Sequence, residues 1–96
     1  MVKLQDIKSI LAAHKEMLRR EYSITEIAVF GSYVNGIPRE DSDVDILVEF
    51  AEVPDLFTFV SIKLKLEELL EMKVDLVRKS ALRKELVHVF EEAVAI

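Results

Sequence analysis

Residues 43–77 constrain the fold more than any other part of the chain, because one long helical run separates two short β-patterned runs. The first, DVDILVEF, is expected as a strand over 43–50, with Val44, Ile46 and Val48 on one face. Pro54 and Asp55 then mark the start of a helix expected to reach about Met72. The second run, KVDLV, is expected as a strand over 73–77. A long helix between two short strands is a parallel crossover, which sets those strands side by side.

The flanking segments extend this pattern. Apolar positions at Leu4, Ile7, Ile10, Leu11 and Leu18 recur with helical spacing over 4–20. Ser23 to Thr25 interrupts them, and Ile24 to Phe30 reads as a strand ended by Gly31. Residues 31–42 are turn-rich, with a short helix expected to begin at Ser32. That connection is short enough for the first and second strands to pair antiparallel. Ser80 is expected to cap a last helix whose apolar face carries Leu82, Leu86, Val89, Phe90 and Ala93. The expected order is α-β-(α)-β-α-β-α: an α/β (α+β) fold with a small mixed sheet flanked by helices. At 96 residues the chain is expected to be one domain, 1–96.

Composition narrows the classes. The chain is 51% hydrophobic and 32% charged, with two Gly and two Pro, which describes an ordered domain with short loops. The net charge of −5 argues against broad nucleic-acid binding, which needs a basic surface. With no Cys, disulfides and thiolate metal sites are excluded. No apolar leader and no membrane-length stretch is visible, so the expected location is cytoplasmic.

The chemistry sits in the acids. Asp43 and Asp45 are one residue apart on a strand, so both side chains share a face. Two such carboxylates repel and resist burial unless a cation neutralises them. Oxygen ligands with no His or Cys nearby suit Mg²⁺ or Mn²⁺. Asp75 repeats the pattern on the third strand, between Val74 and Leu76, which point the other way. The crossover brings Asp75 toward Asp43 and Asp45. Gly31 permits close backbone approach, and a helix starting at Ser32 aims free N–H groups at an anion. An Asp-x-Asp alone is an ordinary wet strand, and Gly-Ser alone an ordinary turn. Together, in this order, they point to a phosphate cradle beside a three-carboxylate metal site, as phosphoryl or nucleotidyl transfer requires.

At these residues the chain resembles the DNA polymerase β-like nucleotidyltransferases. Their signature is Gly-Ser, about ten residues, then Asp-x-Asp or Asp-x-Glu, with a later third carboxylate. Here it reads FGSYVNGIPREDSDVDILVEF, with the third acid in KVDLV. The length and the tail ELVHVFEEAVAI are similar to the minimal nucleotidyltransferase group, the MNT antitoxins. The resemblance implies a short mixed sheet and Mg²⁺-dependent transfer from ATP. It implies that Gly31 and Ser32 hold the triphosphate and that Asp43 and Asp45 hold one or two metal ions. Asp75 would be the third ligand and a base toward the acceptor hydroxyl. It further implies a small helical HEPN-type toxin as partner, silenced by AMP placed on a tyrosine. One departure stands out: many relatives have Arg near positions 33 and 35, where this chain has Tyr33 and Asn35, with Arg39 as a nearby substitute.

Other residues read more plainly. His14 and His88 are expected to pack, and Glu67, Glu68 and Glu71 to form a solvated helix face. Tyr33 is read equally as a base-stacking or a packing residue. Around the helix 55–72, Leu56, Phe57, Phe59, Val60, Ile62 and Leu64 contribute to an apolar arc of roughly 240°, wider than one sheet-facing stripe. Either neighbouring helices or a partner must cover the excess. Two functions remain open from sequence: a protein-modifying adenylyltransferase, or a non-catalytic module that neutralises a partner by complex formation. Three intact acids favour the enzyme.

Overall fold

The structure, a computed structural model, describes residues 4–30, 43–81 and 94–96. Helix α1 (Leu4–Tyr22) presents Ile7, Leu11 and Leu18 to the core and ends with Arg19 and Arg20, cations suited to the negative end of the helix dipole. Ser23 turns the chain in the left-handed region at φ 58°, its N–H donating to the Arg19 carbonyl at 3.0 Å. Strand β1 (Ile24–Phe30) follows at once, and β2 (Val44–Phe50) pairs with it antiparallel. Helix α2 (Leu56–Leu70) begins where expected, because the Asp55 side chain accepts from the Thr58 N–H at 2.7 Å. It ends at Glu71, which takes the left-handed conformation that usually falls to glycine.

Strand β3 (Val74–Arg78) then pairs parallel with β2, the outcome the crossover demands. The Val44 N–H donates to the Lys73 carbonyl at 2.9 Å, and the Glu67 carboxylate accepts from the Val74 N–H at 2.9 Å. The two contacts tie the head of β3 to β2 and to α2. The sheet order is β3-β2-β1-β4, where β4 (Val94–Ala95) lies antiparallel to β1.

Both described helices cover one face of the sheet. Ile62, Leu66 and Leu70 of α2 and the buried side chains of α1 meet Ile27, Val29, Val44, Ile46, Val48, Val74 and Leu76. Phe50 and Phe59 close one end edge-to-face, with ring centroids 6.3 Å apart. The opposite face carries the alternate residues, among them Asp45, Leu47 and Glu49 of β2.

The end of the chain departs from the expected order. Ser80 lies in a 3₁₀ turn over Lys79–Ala81, and the last helix it is expected to cap lies outside the described residues. Its N–H donates to Glu49 Oε2 at 3.0 Å, and its hydroxyl accepts from Arg78 Nε at 2.9 Å. The expected order ends on a helix, but Val94 and Ala95 form a further strand, β4, since the edge of β1 offers them ladder partners. The short helix at Ser32 and the body of the last helix, 82–93, lie outside the described residues.

Candidate active site

Asp45 is the second residue of β2 and Asp75 the second residue of β3, and the parallel register sets them directly opposite one another. Paired residues in a ladder point to the same face, here the face away from the helices. Valines lock this register: Val44 is opposite Val74, and both are buried in the core. A slip of one residue would turn Asp75 inward, so core packing enforces the meeting of the two acids. Asp43 comes two residues before Asp45, is exposed, and lies within electrostatic reach of it.

The consequence appears in the titration of Asp45. Burial pushes its carboxyl above the usual Asp range, and the charges of Asp75 and Asp43, with a hydrogen bond to Asp75, push it further. Among the described residues no Lys, Arg or His is paired with any of the three. Three acids therefore gather at the head of two strands, where no described basic side chain relieves them. Asp75 is exposed and Asp45 half-buried, so the pair opens toward solvent rather than into the core.

Nor do the described residues form a finished metal cage: no group of three or more His, Cys, Asp or Glu among them is set to hold an ion. Asp45 and Asp75 meet, whereas Asp43 acts on Asp45 as a nearby charge. Mg²⁺ keeps several waters and is usually bound by one or two carboxylates together with substrate phosphates. The oxygen-only donor set suits the same hard cation. Gly31 and Ser32, expected to cradle phosphate, lie outside the described residues, as do Tyr33, Asn35 and Arg39.

Four residues further along the same face of β2, a second carboxylate has the opposite environment. Burial pushes Glu49 up, but hydrogen bonds from Ser80 and from the Phe50 N–H, with the Arg78 charge, outweigh it. The carboxyl ends below its usual range. Arg78 Nε stands 3.9 Å from Glu49 Oε1. Sequence reasoning gave Glu49 no part and read Ser80 as a cap. The one available signal was that Glu49 shares its strand face with Asp45. His14 is half-buried with Nδ1 2.9 Å from the Ile10 carbonyl, a packing role as expected.

Comparison with known proteins gives this geometry a family. The nucleotidyltransferase domain model matches residues 11–96. Protein adenylyltransferase MntA of Thermococcus cleftensis is 54% identical over 83 residues, 86% of this chain and 84% of the relative. A solved structure assigned as a minimal nucleotidyltransferase superposes with a TM-score of 0.83 at 34% identity, over 99% of this chain and 97% of that one. A toxin–antitoxin structure containing AMP-PNP matches at a TM-score of 0.70 and 28% identity, over 84% of this chain and 67% of that one. In sequence as in fold, the chain belongs to the nucleotidyltransferase family, within its minimal group.

Proposed function

We propose that the chain is a protein adenylyltransferase, the antitoxin of a toxin–antitoxin pair, which transfers AMP from ATP to a tyrosine hydroxyl of a small helical HEPN-type partner. The observation that carries this reading is the ladder register opposing Asp45 to Asp75, with Asp43 two residues ahead. Support comes from the adenylyltransferase named among its relatives and from the AMP-PNP bound in a related toxin–antitoxin structure. The reading takes 1–96 as one unit. It places the protein in the cytoplasm, where ATP is available.

The roles follow from the chemistry. Asp43 and Asp45 would hold Mg²⁺, one ion or two, with Asp75 as a further ligand. Gly31 and Ser32 would hold the triphosphate. When bound, Mg²⁺ offsets the charge that develops on the phosphate oxygens during transfer. In the transfer itself the acceptor oxygen forms a bond to the α-phosphorus. The bond from that phosphorus to the α–β bridging oxygen breaks, and pyrophosphate leaves. Asp75 is exposed beside Asp45 and is suited to take the acceptor's proton. Burial, then the charges of Asp75 and Asp43, hold Asp45 above its usual range, and a bound cation would favour its charged form.

The experiment is intact-mass spectrometry of the partner after incubation with ATP and Mg²⁺. Adducts of AMP should appear with the wild-type protein and vanish in EDTA or with Asp43→Asn/Asp45→Asn. A wild-type protein that neutralises the partner without any adduct would leave it a complex-forming antitoxin only.

A further inference from the structure

The apolar arc of α2 resolves into two faces. Ile62, Leu66 and Leu70 are buried against the sheet, while Leu56, Phe57, Val60 and Leu64 stand in solvent. Phe57 is 84% exposed and Leu56 74%, values at which large apolar side chains are not serving the core. At 100° per residue the four fall within an arc of about 100°, one continuous stripe on the first two and a half turns. Val53, 63% exposed, lies just before the helix, and a groove beside the stripe is lined by Val53, Leu56, Phe59 and Arg78. Clustered apolar exposure of this kind marks an interaction surface.

Charge identifies the occupant. Continued down the helix, the stripe runs into Glu68 and Glu71, both exposed, and the last turn of α2 has no basic residue. Acids at a helix C-terminus oppose the macrodipole, which favours cations there. At the other end, Glu52 and Asp55 are exposed beside Val53. A second copy would add its own acids to this rim, in a chain whose net charge is already −5. A basic surface would relieve Glu52, Glu68 and Glu71, while Asp55 already caps the helix.

We infer that the α2 stripe is the docking site for the modified partner, and that it takes an amphipathic helix whose apolar face is flanked by Lys and Arg. The inference rests on the protein-adenylyltransferase reading and deepens it. The stripe and the acids are separate in the fold. Helix α2 covers one face of the sheet, whereas Asp45 and Asp75 point from the other. Docking at the stripe therefore anchors the partner without itself presenting the acceptor. The acceptor hydroxyl must reach the acid end from a different part of the partner. Anchoring raises the local concentration of that hydroxyl, so losing the stripe raises the partner concentration needed while leaving the chemical step alone.

The test uses the full chain and its purified HEPN-type partner. Binding is measured by calorimetry and AMP transfer by intact mass over a range of partner concentrations. Phe57→Asp/Leu64→Asp should weaken binding at least thirtyfold and raise the KM for partner, with kcat kept within about threefold. Because both side chains are exposed, circular dichroism should show an unchanged fold. Glu68→Lys/Glu71→Lys should weaken binding about tenfold, and salt should weaken the wild-type complex. Asp43→Asn/Asp45→Asn should bind normally and transfer nothing. Unchanged binding by the stripe variant, or a loss confined to kcat, overturns the inference while leaving the enzyme reading intact. Undiminished binding after charge reversal overturns the basic partner face. Concentration-dependent dimers of wild-type protein that disappear with the stripe variant would give the surface to a second copy and overturn the inference as well. A wild-type protein that binds through the stripe but transfers no AMP would fail the enzyme reading and keep the docking site.

Discussion

Two acid pairs face each other across strands of the same sheet, and they have been treated in opposite ways. Glu26 of β1 is registered against Glu49 of β2, and Asp45 of β2 against Asp75 of β3. Like charges directly opposite destabilise a ladder. The first pair is relieved: Lys79 bonds Glu26 at 2.8 Å, and Ser80, Arg78 and the Phe50 N–H converge on Glu49. The second pair has no such help among the described residues, and the two acids share a hydrogen bond. The difference teaches how to separate a structural carboxylate from a functional one. Where acids only serve the fold, the chain supplies donors. Where no described residue supplies them, the acids mark a candidate functional site.

The largest expected effect separates the pairs by activity. Asp45→Asn should lower AMP transfer by roughly a thousandfold, as loss of a charge-stabilising group at a reacting centre does. Glu49→Gln should leave it within about threefold. Time courses of adduct formation by intact mass measure both. Comparable losses from the two substitutions would erase the distinction.

Stability should separate them in the reverse sense. Glu49→Ala strips partners from the Ser80 and Phe50 amides and should cost about 1 kcal/mol, a fall in Tm of roughly 4–8 °C. Asp45→Asn removes a repelled charge and should raise the metal-free Tm at neutral pH. Thermal melts in EDTA report both changes.

The pH dependence of those melts sharpens the contrast. Asp45 is raised, so the folded protein binds its proton more tightly than the unfolded chain does. Its destabilisation is absent below the ordinary Asp value, about 3.9, and develops as pH rises from there through the raised value. Glu49 is lowered, so its stabilisation is complete above the ordinary Glu value, about 4.3, and is lost as pH falls through the lowered value. The gain from Asp45→Asn should therefore emerge as pH rises above about 4. The loss from Glu49→Gln should disappear in more acid solution. Parallel pH profiles for the two variants would contradict these assignments.

The smallest effect is the cation's own. Mg²⁺ near its dissociation constant should stabilise the wild-type protein by about 0.4 kcal/mol, roughly 2 °C in Tm. Glu49→Gln should keep that shift, and Asp45→Asn should lose it.

Much of the architecture was legible in the residues. The alternation in DVDILVEF, the Pro54-Asp55 start and the β-run at 73–77 place β2, α2 and β3 within about two residues of their observed limits. The acid motif was equally plain, since Asp43 and Asp45 lie at the start of one β-run and Asp75 at the start of another. Less legible was the end of the chain. The Ser80 amide goes to Glu49, 31 positions away, which no local pattern encodes. The two-residue β4 exists only because β1 offers it an edge, and two residues carry no periodicity of their own.

By itself the sequence determined the succession α1, β1, β2, α2, β3, the Asp55 cap and which residues alternate toward the core, because these depend on contacts within a few residues and on the fixed periods of helix and strand. It also determined that Asp43 and Asp45 come at the start of one strand and Asp75 at the start of another. Only the tertiary structure decided that Asp45 meets Asp75, that Glu49 is relieved while Asp45 is not, and that Phe57 and Leu64 face solvent while Leu66 does not. Each of these depends on register and packing between segments far apart in the chain, which the core valines and leucines settle collectively when they exclude water.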